Sequence, residues 1–107
     1  MKIFLNVSLI LLLALSSAAQ NTPTNIRSGV AVGANVVRFD GNNSQKVTYE
    51  IWRQHGDTVT WYLYTTTKDD VFVDTAVNPG QIYEYCIRAR IGNEVSDFSE
   101  STVIYNW

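Results

Sequence analysis

The chain is predicted to fold as an all-β sandwich, and three observations carry that prediction. First, Pro79-Gly80 runs into a stretch that alternates in type: Tyr83, Tyr85, Ile87 and Ala89 share one parity, while Glu84, Cys86, Arg88 and Arg90 share the other. Side chains on a strand point to opposite faces with a period of two, so one face suits a core and the other suits solvent. Second, Tyr83 follows the turn where a β-sandwich places a tyrosine whose ring packs inside and whose hydroxyl bonds back to the connecting loop. Third, short runs rich in Val, Ile, Thr, Tyr and Trp alternate with Gly, Asn, Asp and Pro clusters, the spacing of a sandwich or barrel. Beyond the apolar N-terminal segment no window shows a helical stripe.

The strands follow in order. Residues 24–28 open the domain. Residues 35–40 form the second strand, with Val37 and Phe39 inward, and Gly41-Asn42-Asn43-Ser44 turns the chain. The third strand covers 46–54, with Val47, Tyr49 and Ile51 inward, and His55-Gly56-Asp57 is the next turn. A very aromatic strand covers 58–66 and ends at the Lys68-Asp69-Asp70 turn. Residues 71–74 form a short strand whose core candidate is Phe72. The long strand covers 81–91, Gly92-Asn93-Glu94 is a hairpin turn, and the last strand spans 95–105 with an interruption near Asp97-Phe98.

The N-terminus reads as a secretion signal and not as part of the fold. Met1-Lys2 supplies a positive start, residues 3–15 are almost wholly apolar, and Ser17-Ala18-Ala19 supplies small residues for a peptidase. Cleavage is expected between Ala19 and Gln20, so 1–19 is the signal peptide and 20–107 the domain. The apolar run is shorter than the roughly 20 residues of a spanning helix, so no membrane role is expected after cleavage. Removing Lys2 leaves 7 basic residues against 10 acidic ones. That acidic balance disfavours nucleic acid and anionic membranes as partners. The expected location is extracellular, or periplasmic in a bacterium. Cys86 is the single cysteine. It excludes an internal disulfide and leaves two readings, a shielded free thiol or a link to another chain.

The order of these landmarks is similar to a known family. Pro23 precedes the first strand, and Val37-Arg38-Phe39-Asp40 gives an apolar residue followed by an aromatic one. Tyr49-Glu50-Ile51-Trp52-Arg53 looks like a tyrosine-led third strand. Phe72-Val73-Asp74-Thr75 precedes Pro79-Gly80-x-x-Tyr83-x-Tyr85-x-Ile87-x-Ala89, and Ser96-x-x-Ser99 precedes the last strand. Together they resemble a fibronectin type III domain of the kind found in bacterial secreted proteins, over essentially all of residues 20–107. The resemblance implies an immunoglobulin-like sandwich of seven strands in two antiparallel sheets, with Phe39, Tyr49, Ile51, Phe72, Pro79, Gly80, Tyr83, Tyr85 and Ile87 as structural residues. Phe39 departs from the tryptophan usual there. The resemblance implies no catalytic residue, cofactor or shared ligand.

Few residues invite chemistry. The single histidine, His55, lies in a turn without a recognisable nucleophile, so no triad is expected. Asp69, Asp70 and Asp74 lack the spacing of a calcium loop and read as a solvated turn. One cysteine and one histidine make no zinc pattern, so neither metal nor cofactor is expected. Asn42-Asn43-Ser44 is a glycosylation triplet on a turn, with Asn42 the acceptor.

The aromatic run is the strongest binding candidate. Trp61 and Leu63 share one face of their strand, and Tyr62 and Tyr64 the other, and a simple sandwich buries only one of them. Trp52, Cys86, Arg88 and Arg90 have outward parity. Trp52, Trp61, Tyr62, Tyr64, Arg88 and Arg90 therefore form the candidate binding set, since tryptophan, tyrosine and arginine dominate binding hot spots. The bland reading is an outer sheet covered by rings and arginine stems. The expected function is a secreted, non-enzymatic binding, adhesion or assembly module with a protein partner or copies of itself. The alternative is a carbohydrate-binding module using Trp52, Trp61 and Tyr62.

Overall fold

The structure is a computed structural model that describes residues 21–44, 46–56 and 58–106. The signal segment and its cleavage point, Ala19 and Gln20, lie outside the described residues. The strands are β1 (Thr24–Ala31), β2 (Ala34–Asp40), β3 (Thr48–His55), β4 (Tyr62–Thr67), β5 (Val71–Asp74), β6 (Ile82–Ile91), β7 (Glu94–Val95) and β8 (Thr102–Tyr105). They form two antiparallel sheets: β1-β2-β5, and β4-β3-β6-β7 with β8 also on β6. The all-β sandwich expected from alternation is the fold observed.

The core lies between the sheets. Val37 and Phe39 from one sheet meet Tyr49, Ile51, Tyr83, Tyr85, Ile87, Ala89 and Ile104 from the other, with Val47 joining from the loop just before β3 and Phe72 packed at the margin. Phe39, in place of a larger indole, meets the Tyr49 ring edge-on at 5.0 Å. Gly41 is required beside them, because a Cβ there would lie 2.0 Å from the Tyr49 hydroxyl.

Three local features differ from the alternation reading. The first two strands extend into a hairpin, with Ala31 paired to Ala34 across Val32-Gly33, and Gly33 supplies the positive φ of 73° that this tight turn uses. The aromatic strand begins at Tyr62, four residues later than expected, because Thr58 turns back onto the His55 carbonyl through its N–H and hydroxyl. The final strand is replaced over residues 96–101 by a serine clamp, which splits it into β7 and β8, so that the described residues form eight strands where seven were expected. Ser96 Oγ accepts the Ala89 N–H and Ser99 Oγ accepts the Ile87 N–H, each at 2.9 Å. The Ser96 and Ser99 N–H groups bond to the carbonyls of Ala89 and Ile87. The edge of β6 is thus satisfied while the chain bulges away from it.

Tyr83 closes the turn before β6. Its ring is buried, and its hydroxyl accepts the Asn78 N–H at 2.7 Å. Gly80, at φ 80°, donates to the Asn106 carbonyl, and Asn106 donates back to Gln81. Tyr83→Phe strips the acceptor from the Asn78 N–H and is expected to cost about 1–3 kcal/mol in urea unfolding. An unchanged midpoint would show that this hydrogen bond contributes nothing to the bend.

Candidate functional site

The outer face of the five-stranded sheet is built on a buried carboxylate. Pairing puts Trp52 opposite Cys86 and Glu50 opposite Arg88, so these side chains share the face that points away from the core. Glu50 has outward parity, yet it is only 2 % exposed. It accepts the Trp52 indole N–H at 2.9 Å, Arg88 Nε at 2.7 Å, and Arg90 Nε. Burial alone would raise the Glu50 carboxyl, but these three donors outweigh it and hold it down at about 2. The Arg88 guanidinium then lies over two rings, 5.3 Å from the Trp52 centroid and 4.6 Å from that of Phe98. Trp52 and Phe98 meet edge-to-face at 5.4 Å.

Phe98 reaches this position because the serine clamp bulges residues 96–101 over the face. Alternation marks it only as a point of strand interruption, and the paired serines on either side of Asp97-Phe98 are the signal that could have found it. Trp52, Trp61, Cys86, Arg88, Phe98, Ser99 and Ser101 line a groove of about 440 Å³. Cys86 forms part of its lining and is nearly covered, and burial, aided by the Glu84 charge and opposed by Arg88, pushes its thiol up to about 11. It is a protonated filler there and a poor nucleophile.

Two members of the candidate set turn the other way. The β3–β4 register shifts between Ile51, opposite Thr65, and Trp52, opposite Leu63, so the bulge falls at Tyr64. Tyr62 pairs with Arg53, which pairs with Tyr85 of the core. Tyr62 and Tyr64 therefore face inward, and the expected grouping with Trp52 is corrected: only Trp52, Trp61, Arg88 and Arg90 share the outer side. The physical reason is a polar cluster. Arg53 donates to the Tyr62 hydroxyl and to Asp74 Oδ2, each at 2.7 Å, and its guanidinium sits 4.0 Å from the Tyr64 centroid. Asp74 also accepts the Tyr85 hydroxyl at 2.6 Å, the Tyr64 hydroxyl at 2.9 Å and the Ala76 N–H at 3.0 Å. Asn35 donates to Tyr85 and accepts from Asn106, both buried.

The cluster also corrects the reading of Asp74, which is 1 % exposed and far from a solvated turn. Burial would lower the Arg53 proton affinity, but Asp74 and Tyr62 outweigh it and raise it. Burial first, then the hydrogen bond to Asp74, raises the Tyr64 and Tyr85 hydroxyls. The inward parity of Arg53, in line with Tyr49 and Ile51, was the signal that the alternation contained.

The remaining candidates are scattered. His55 is exposed, with its ring edge-on to Tyr62 and tilted against Tyr83, and Asp57 lies outside the described residues. Among the described residues no group of three or more His, Cys, Asp and Glu side chains is placed to hold a metal. Asn42, at φ 64°, donates its side-chain amide to the Thr22 carbonyl at 3.1 Å and to Thr24 Oγ1 at 2.8 Å. A glycan on that nitrogen competes with the strap holding the start of β1.

No protein-family model matches the chain, and no curated protein matches it. Solved structures do. One, described as "Myokine structure", superposes with a TM-score of 0.67 at 15 % identity, over 80 % of this chain and 96 % of that one. Domains A168–A170 from titin give a TM-score of 0.68 at 11 % identity, over 80 % of this chain and 32 % of that one. The chain thus spans about a third of the titin fragment. The likeness is one of fold: an immunoglobulin- or fibronectin-like β-sandwich.

Two outcomes follow from the charges. The depressed Glu50 carboxyl contributes stability that is complete above its ordinary value of 4.5 and is lost as pH falls through about 2. Urea midpoints measured from pH 7 to pH 2 are expected to fall in that window, and Glu50→Gln to flatten the decline. Asp74→Asn leaves the Arg53 charge buried without its partner, and chemical unfolding is expected to show a loss of about 3–5 kcal/mol.

Proposed function

We propose that this chain is a secreted, non-enzymatic binding or assembly module of fibronectin type III kind, engaging a protein partner through the outer face of its five-stranded sheet. The observation that carries this reading is the groove between Trp52, Trp61 and Phe98, with exposed Leu63 beside it. Its rings are propped by Arg88, and Glu50 offsets one of the two positive charges of Arg88 and Arg90, so the rings meet a partner as a rigid apolar surface at small desolvation cost. Tryptophan and arginine in a partly enclosed pocket are the usual centre of a protein hot spot. The Pro79-Gly80 turn, the Tyr83 closure and the strand order support the fibronectin type III assignment, and the apolar segment ending at Ala19 supports secretion.

A sugar partner fits less well. Stacking a sugar needs open ring faces and free polar atoms around them. Trp52 has Arg88 over its ring and spends its N–H on Glu50, and Tyr62 faces inward. Of the three rings proposed for a sugar platform, only Trp61 then serves one.

The test is capture of proteins from the extracellular fraction of the source by the immobilised chain, run beside a glycan array. Wild type is expected to retain a protein, foreign or a second copy, that Trp61→Ser combined with Leu63→Ser releases, and to bind no glycan. Retention indifferent to these substitutions, or glycan binding lost with Trp61→Ser, overturns the reading.

A further inference from the structure

We propose that the partner of this face is a second copy of the chain, docked sheet to sheet across a two-fold axis that crosses the strands over Cys86. The inference rests on the outer face being the binding surface and names its occupant. Along β6 the outward residues run Ile82, Glu84, Cys86, Arg88 and Arg90. The face is therefore polarised along the strand. At one end Glu50 offsets one of the two positive charges of Arg88 and Arg90. At the other, Glu84 accepts from Gln54 Nε2 at 2.7 Å and from the Ser101 hydroxyl, both neutral donors. Basic and acidic positions lie equally far from Cys86, about 6.7 Å on either side at strand rise.

A two-fold axis across the strands lays residue 86−n over residue 86+n of the other copy. Glu84 then meets Arg88 of the second copy, and Arg88 meets its Glu84, so one operation makes two ion pairs. Arg88 gives its Nε to Glu50, while its side chain keeps 21 % exposure at the surface. Docking with the strands parallel would set like charges together.

The row on the axis must tolerate meeting itself, and it does. Leu63, Trp52 and Cys86 stand directly opposite one another across β4, β3 and β6, and all are uncharged. On the flank, Phe98 stacks on Arg88 and Val103 lies opposite Glu84, so the operation sets Phe98 against Val103 of the second copy. These are exposed apolar side chains, at 43 % and 61 %. Packed sheets stand about 10 Å apart, too far for the two Cys86 residues to form a disulfide. The association is non-covalent.

The experiment is sedimentation of protein purified from a secreting host, with folding followed by circular dichroism and thermal unfolding. Wild type is expected to sediment as a dimer. Glu84→Arg and Arg88→Glu each set like charges face to face, and each alone is expected to weaken the dimer by tenfold or more. Mixed one to one, the two variants restore opposite charges at both contacts across the axis, and the dimer is expected to return. If Arg88→Glu does not fold, the order of dissociation constants wild type, Glu84→Gln, Glu84→Arg, rising, carries the test. A wild-type monomer at about 100 µM, variants that still dimerise, a mixture that stays monomeric, or no rise in that order overturns the proposal. Capture of a foreign protein that is sensitive to Trp61→Ser, with a monomeric wild type, leaves the binding face standing and removes the second copy as its occupant.

Discussion

One carboxylate organises both halves of the molecule. Asp74, on the edge strand of the three-stranded sheet, takes donors from Arg53 on β3, Tyr64 on β4 and Tyr85 on β6. Apolar packing holds the sheets together without direction, but this carboxylate fixes how they sit. A buried charge is tolerated only when its lone pairs are filled, so the donors must all arrive at once. That requirement pulls Tyr62 and Tyr64 inward through the bulge in β4. The same bulge leaves Leu63 outside beside Trp61. The apolar groove on the outer face is thus a consequence of a polar cluster on the inner one.

Glu50 does on the outer face what Asp74 does within. An arginine and a tryptophan on a bare sheet would sample many rotamers, and ordering them on binding would cost conformational entropy. Glu50 fixes both, and Phe98 is brought over them by the serine clamp. The face is ordered before anything binds. The two acidic anchors differ in consequence: Asp74 ties sheet to sheet, whereas Glu50 ties neighbouring strands and shapes a surface.

The alternation of β6 and the Pro79-Gly80-x-x-Tyr83 turn made the sandwich and its core legible, because burial of one face imposes period two directly on residue type. The inward carboxylate and guanidinium were harder to see. Parity counting assigns charges outward by habit, and Arg53 follows Tyr49 and Ile51 in perfect phase without being apolar. A bulge changes the phase by one residue, and the sequence Trp61-Tyr62-Leu63-Tyr64 reads equally well either way until the hydroxyls find Asp74 and Arg53. Glu50 illustrates the converse: its parity was outward and its environment is buried, since three donors close over it. Parity reports the side of a sheet and says nothing about what covers that side.

The sandwich also limits where a partner can attach. Open strand edges invite pairing with other chains, and proteins blunt them. Here β5 is four residues long and β4 carries a bulge. The C-terminal strand β8 is approached by β1 through a 2.7 Å contact between the Ser28 and Thr102 hydroxyls. The β6 flank between β7 and β8 is filled by Ser96 and Ser99. Edges short, bulged, approached or capped leave little backbone for a neighbour to read. The outer face, by contrast, offers ordered rings and a charge gradient along its central strand, so recognition here falls to side chains and not to the ladder.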